Sequence, residues 1–152
     1  MKAVLQRVSS ADLVIDNNLF SSIKNGLVVL LGVEENDDEN DVSILSEKVV
    51  NLRIFEDENE KMNNSLLQTN GEIMIVSNFT LCADCKKGRR PSFVKSEKPE
   101  KAKPLYEQFI NSVKKLGVKK VAFGVFGADM QISLTNDGPV TIIIDSKDLK
   151  RK

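Results

Sequence analysis

Two short stretches combine polar groups with an unusual backbone, and they bound the chemistry open to this chain. Ser77-Asn78-Phe79-Thr80 ends the mostly apolar run Glu72 to Val76, placing two hydroxyls and a carboxamide where a buried strand emerges. Such strand ends are where open sheets carry their chemistry, and also where strands simply meet water. Asn136-Asp137-Gly138-Pro139-Val140-Thr141 is turn-prone and is wedged between two β-patterned runs, Met130 to Leu134 and Val140 to Ile144. Asn-Asp-Gly by itself reads as a hairpin turn. Pro139 fixes its own φ, removes an N–H donor and makes Gly138-Pro139 a bond that can be cis at modest cost. In the cis form two neighbouring carbonyls would face one way with no side chain in front of them. The chemistry of this segment is therefore that of main-chain atoms.

No histidine occurs among the 152 residues. Ser-His-Asp and Cys-His hydrolysis are excluded, as are metal sites built on His. Thr80 could be a nucleophile, but it has no general base beside it in sequence, and an unassisted hydroxyl is weak. Cys82 and Cys85 form one C-x-x-C, which could be redox-active, but the second pair that a closed zinc site needs is missing. We read them as two incidental thiols in a reducing compartment. No metal and no cofactor is expected.

The length fits a single domain with a real core, so any site is built on one scaffold or shared between subunits. Lys+Arg and Asp+Glu stand at 22 each, with 41% hydrophobic residues, as in ordinary soluble proteins. The balance is a cancellation. Residues 1–76 hold 6 Lys/Arg against 14 Asp/Glu, whereas residues 77–152 hold 16 against 8. Lys86, Lys87, Arg89 and Arg90 cluster after the strand-like run, and Lys95, Lys98, Lys101 and Lys103 follow. They form either a basic face for phosphates or a set of solvated loop and helix charges. The chain opens directly into a strand pattern with no signal peptide, and its apolar runs are too short to span a bilayer, so a cytosolic address without a membrane partner is expected.

The elements that must position these residues follow from periodicity. Ala3 to Val8 and Ala11 to Ile15 read as short strands separated by Ser9-Ser10, and Gly26 to Val33 as a longer one, an antiparallel opening. Val42, Leu45, Val49 and Leu52 lie three and four apart behind an acidic cluster, which predicts a helix over about 38–51. Leu52 to Phe55 returns to strand, and Glu56 to Asn64 reads as a charged loop. Pro99 starts a second helix with Ala102, Leu105, Tyr106, Phe109, Ile110, Val113 and Leu116 on one face, and Gly117 stops it. Pro104 suits only an irregular first turn. Val121 to Phe126, Met130 to Leu134 and Val140 to Ile144 are closing strands. The domain is expected to span 1–145, with 146–152 a frayed basic tail. The fold class is α+β, a barrel-like antiparallel or mixed sheet with two main helices in a single domain.

Taken together with Gln6-Arg7-Val8, the two stretches resemble those of the D-aminoacyl-tRNA deacylases. The likeness continues through Leu31-Gly32-Val33, Asn51-Leu52-Arg53-Ile54-Phe55, Arg90-Pro91-Ser92-Phe93 and Phe126-Gly127-Ala128-Asp129-Met130, from Met1 to about Ile144. The resemblance implies a homodimer of barrel-like subunits that hydrolyses the ester between a D-amino acid and the terminal adenosine of tRNA. It implies a cis Gly138-Pro139 inserted into the partner's pocket, with Arg7 bracing that segment and Met130 beside the substrate. The family's Ser-Gln-x-Thr motif falls on Ser77, Asn78 and Thr80, so Asn78 stands where the family usually has Gln; Phe79 and Thr80 both contribute their backbone N–H groups. The terminal 2′-hydroxyl of the tRNA would assist a water. The basic loop, Lys86, Lys87, Arg89 and Arg90, would hold the RNA. A non-catalytic homodimeric nucleic-acid-binding module is the rival reading, and a redox switch through Cys82 and Cys85 a third.

Overall fold

A computed structural model describes residues 1–150. Strand β1 (Lys2–Ile15) turns through Asp16-Asn17 into β2 (Asn18–Ile23), and β3 (Gly26–Gly32) follows. Helix α1 (Glu39–Asn51) leads to the small hairpin β4 (Phe55–Glu56) and β5 (Met62–Asn64), then to the short helix α2 (Leu66–Thr69) and to β6 (Glu72–Ser77). A 3₁₀ turn (Phe79–Cys82), helix α3 (Pro99–Lys115), β7 (Val121–Phe123), β8 (Gln131–Asp145) and helix α4 (Ser146–Leu149) complete the chain. No helix among the described residues is long and apolar enough to cross a membrane.

The main sheet runs β2-β1-β3-β6-β7, with β8 on the other side of β1. Pairings of β1 with β2, β3 and β8 are antiparallel, whereas β3–β6 and β6–β7 are parallel. The parallel strands are apolar on both faces, as burial on both sides requires. Leu27, Val29, Leu31, Ile73 and Ile75 face the helices, where Leu45, Val49 and Phe109 cover them. Val28, Met74 and Val76 face the other way, against Val8, Leu13 and Ile23. The sheet thus curls over a second, smaller core, which gives the barrel-like mixed architecture expected from the pattern. Gly26 permits the closest strand approach: a Cβ there would stand 1.7 Å from the Glu72 carbonyl oxygen.

Helix α1 begins where its acidic cluster predicts. The Asp38 carboxylate accepts from Asn40 N–H and Asp41 N–H, and Asp41 returns a bond to Asp38 N–H. Several local expectations are corrected. β1 runs unbroken through Ser9-Ser10, because its register against β8 shifts between Val8 and Ser10 and the extra residue is absorbed as a bulge. β2 was not foreseen; Asp16 (φ 50°) and Asn17 (φ 62°) make the tight turn that creates it. Glu56 to Asn64 closes a hairpin rather than a plain loop, and only Phe55 of the Leu52–Phe55 run enters it. β7 ends at Phe123, short of the expected Phe126. Pro104 lies inside α3, on its exposed side, where solvent can serve the carbonyl that the missing N–H would have bonded.

The expected frayed tail is also corrected. Ser146 is fully buried, and its hydroxyl lies between the Met1 ammonium (2.7 Å) and Asp41 (2.6 Å). Asp37 meets the same ammonium at 2.6 Å, and Lys150 reaches Asp41 at 2.8 Å. Helix α4 is therefore tied to the start of β1 and to α1; residues 151 and 152 lie outside the described residues.

Candidate functional site

β3 and β6 run parallel and end together, and the chain leaves β6 into polar residues at that end. Ser77, Asn78 and Phe79 line a cleft of about 660 Å³ there, together with Phe93, Tyr106 and Met130. Thr80 stands just outside its lining. The Asn78 carboxamide caps the 3₁₀ turn: Oδ1 accepts from Thr80 N–H at 3.2 Å and from Thr80 Oγ1 at 2.5 Å. The shorter side chain at this position thus folds back on its own turn. It also occupies the Thr80 N–H, leaving Phe79 N–H as the donor of the pair not used in this way.

The cleft wall opposite is held by the chain's one tyrosine. Tyr106 sends its hydroxyl from α3 between two carbonyl oxygens, Ile75 O at 2.9 Å on β6 and Gly124 O at 3.1 Å. Burial pushes the phenol well above its usual range, so it stays protonated and remains a donor. Met130 packs against Gly124, where a Cβ would come within 2.4 Å of the thioether sulfur. Sequence reasoning placed Tyr106 on the core face of its helix and missed this role. The signal was available, because a buried tyrosine hydroxyl needs a partner.

At the cleft mouth Phe79 and Phe93 meet edge to face, ring centres 5.1 Å apart, and both are exposed. Phe93 ties the cleft to the basic loop. That loop is closed at its base by Asp84 and Ser92, which exchange backbone bonds of 2.8 and 2.9 Å. Lys86, Lys87, Arg89 and Arg90 are all exposed on it. Of the two thiols, Cys85 is exposed, while Cys82 is buried with its Sγ 3.5 Å from Val33 O. Burial and the nearby Glu34 charge push the Cys82 thiol up, which makes it a poor nucleophile.

The second stretch lies elsewhere. β8 does not turn at Asn136–Thr141; it continues along β1 on both sides, with Val8 opposite Asn136 and Gln6 opposite Thr141. Five residue steps on β8 thus face two on β1, and Asp137-Gly138-Pro139 bulges outward opposite Arg7. The Gly138-Pro139 bond is cis, and Gly138 has φ +134°, a region that L side chains rarely adopt. Both residues are exposed.

Arg7 is buried behind the bulge, with 4% of its surface exposed. Its Nε donates to the Asp137 carbonyl at 3.1 Å and one terminal nitrogen to Ile54 O at 2.9 Å. The carboxylates of Asp137 and Glu56, at 3.4 and 3.5 Å, answer its charge. The guanidinium is therefore anchored to the main chain immediately before Gly138.

Ser77, Asn78, Phe79 and Met130 are brought together, and Arg7 is brought to Gly138-Pro139. The two groups do not meet within one chain. Asp137 shares its surroundings with Glu72, at the start of β6, while Ser77 is the last residue of that strand. At ~3.3 Å per residue, the strand separates them by roughly 16 Å.

The chain matches the sequence model of the family described as D-Tyr-tRNA(Tyr) deacylase over residues 4–145. It is 55% identical over 147 residues to a D-aminoacyl-tRNA deacylase of Flavobacterium psychrophilum, covering 97% of this chain and 98% of that one. A protein of the same name from Clostridium botulinum is 56% identical over the same shares. Among solved structures, the c-Myc DNA unwinding element binding protein is 37% identical with a TM-score of 0.91, over 95% of this chain and 98% of that one. A probable eukaryotic D-amino acid tRNA deacylase, at 20% identity and a TM-score of 0.80 over 94% and 97%, shares the fold.

Proposed function

The chain belongs to the D-Tyr-tRNA(Tyr) deacylase family, and from that premise we propose that it hydrolyses the ester of D-aminoacyl-tRNA, releasing free D-amino acid and tRNA as chiral proofreading in translation. The observation that carries the reading is the exposed Asp137-Gly138-Pro139 bulge, a main-chain edge backed by a buried arginine. L and D residues differ by exchanging a hydrogen and a side chain on Cα. A fixed backbone edge on the L side rejects every L residue by collision and need not recognise the D side chain. Such a filter has a blind spot at glycine, which offers nothing to collide, so glycyl-tRNA should be cleaved to some extent.

Because the bulge and the cleft sit at opposite ends of β6, the edge would serve the cleft of a second subunit in a homodimer. In the cleft, Phe79 N–H is the proposed donor to the oxyanion that forms as water adds to the ester carbonyl. The acyl C–O bond then breaks, and the ribose oxygen leaves with the proton of that water. The Thr80 hydroxyl donates to an amide oxygen that cannot take its proton, which supports assistance by the terminal 2′-hydroxyl of the tRNA. Lys86, Lys87, Arg89 and Arg90, beside the cleft mouth, would hold the phosphates leading to that terminus.

A second reading, a non-catalytic homodimeric nucleic-acid-binding module, draws on the solved relative named for binding a DNA unwinding element and on the same basic loop. Free D-tyrosine released from D-tyrosyl-tRNA, with substrate in large excess over protein, is the expected result. Tight, salt-sensitive binding without release would decide for the module.

A further inference from the structure

Arg7 holds the bulge at Asp137, but what holds its other side is a side chain that the proposed reaction leaves unused. Asn136 Oδ1 accepts from Val140 N–H at 2.9 Å, and Asn136 Nδ2 donates to Val140 O at 3.1 Å. A carboxamide thus makes a two-point pair with the main chain of Val140 and closes a ring around Asp137-Gly138-Pro139. The N–H and carbonyl of Val140 settle which end of the amide is which. The second hydrogen of Asn136 Nδ2 goes to Gln6 Oε1, and the same oxygen accepts from Thr141 Oγ1. Every hydrogen of Asn136 Nδ2 and both acceptor sites of Gln6 Oε1 are then used. Gln6 and Arg7 are neighbours on β1, so their side chains leave opposite faces of the strand. One reaches Asp137 and the other reaches Asn136 and Thr141, which ties the Gly138-Pro139 unit at both ends.

We propose that Asn136, held by Gln6, is a positioning residue that fixes where the Gly138-Pro139 carbonyls stand and so sets the enantiomer discrimination of the enzyme. The proposal rests on the reading of that segment as the chiral edge. A steric filter discriminates only while its edge stays put; an edge free to retreat by a fraction of an ångström admits the L side chain. Loosening the clamp therefore raises hydrolysis of L-aminoacyl-tRNA more than it lowers hydrolysis of the D form.

The experiment compares kcat/KM for D- and L-tyrosyl-tRNA in Asn136→Asp, Gln6→Met and Gln6→Glu proteins. Asn136→Asp keeps the acceptor for Val140 N–H but turns an oxygen toward Val140 O and Gln6 Oε1. Gln6→Met keeps the length and removes the acceptor, and Gln6→Glu keeps both acceptor sites. The D/L ratio does not depend on how much of the protein is folded, so it separates positioning from stability. The ratio should fall about tenfold or more in Asn136→Asp and Gln6→Met, chiefly through faster L hydrolysis, and Gln6→Glu should largely restore it. If Asn136→Asp fails to fold, Gln6→Met decides alone. A wild-type ratio in Gln6→Met and in any folded Asn136→Asp protein, or a loss of D activity with that ratio unchanged, would overturn the proposal while leaving the function standing. A wild-type protein that does not sort the enantiomers would instead overturn both.

Discussion

Thr80 Oγ1 donates to Asn78 Oδ1 at 2.5 Å, so the hydroxyl proton points at a carboxamide oxygen that cannot remove it. A nucleophilic role for Thr80 would need a base that this contact does not supply. Thr80→Ala should therefore lower kcat by less than about tenfold, whereas loss of a true nucleophile costs about 10³-fold or more. Substrate ending in 2′-deoxyadenosine should instead be cleaved about 10²-fold more slowly, the range lost with an acid–base partner. Single-turnover rates for both pairs check this; the opposite pattern would return the role to the threonine.

The separation of Ser77 from Asp137 along β6 makes the sharing of sites between subunits testable by mixing. Gly138→Ala places a Cβ 2.7 Å from Val140 Cγ2 at φ +134°, so the main-chain edge must shift while the cleft stays intact. Phe79→Pro removes the proposed donor at the first position of the 3₁₀ turn, where proline is tolerated. Neither homodimer should release D-tyrosine while sparing the L ester. A mixed dimer should regain one sound site, built from the Gly138→Ala cleft and the Phe79→Pro edge. Absence of any recovery in purified mixed dimers would mean that the edge serves its own chain.

The basic loop predicts a salt effect rather than a chemical one. Replacing Lys86, Lys87, Arg89 and Arg90 by Ala should raise KM at moderate salt and leave kcat unchanged. The slope of log(1/KM) against log salt should flatten by about 0.7–0.9 for each phosphate contact removed. An unchanged slope would place the RNA elsewhere.

Stability should respond to acid through Asp41. Burial works to raise its carboxyl, but hydrogen bonds from Lys150 and Ser146 hold it well below the usual range. A depressed folded-state value means that the unfolded chain binds the extra proton first, so the contribution is present above about pH 4 and is lost as pH falls through the folded value. Asp41→Asn should cost on the order of 1–3 kcal/mol near neutrality, with the gap to wild type narrowing progressively below about pH 4. Thermal melts across pH 2–7 read this directly, and a gap that stays constant would contradict it.

How much of this could be read from the residues depended on range. Apolar spacing placed α1 and α3 within a residue or two, because Val42, Leu45 and Val49, and Leu105, Phe109 and Val113, answer to local periodicity. The polar end of β6 and the importance of Asn136 to Thr141 were legible from residue types. What was not legible depends on partners distant in sequence. Asn-Asp-Gly-Pro reads as a turn until β1 is known to pair on both sides of it, which makes it a bulge. Ser146 onward reads as a tail until the Met1 ammonium and Asp41 are seen to enclose the Ser146 hydroxyl. Asn78 could be read only as a residue standing where the family usually has Gln; that its carboxamide caps its own turn depends on the backbone path after β6.

A main-chain edge that sorts mirror images is tested most directly by giving the purified protein matched D- and L-tyrosyl-tRNA. Rapid multiple-turnover release of D-tyrosine, with the L ester surviving as it does in buffer alone, is the predicted result. Equal cleavage of the two esters would contradict it.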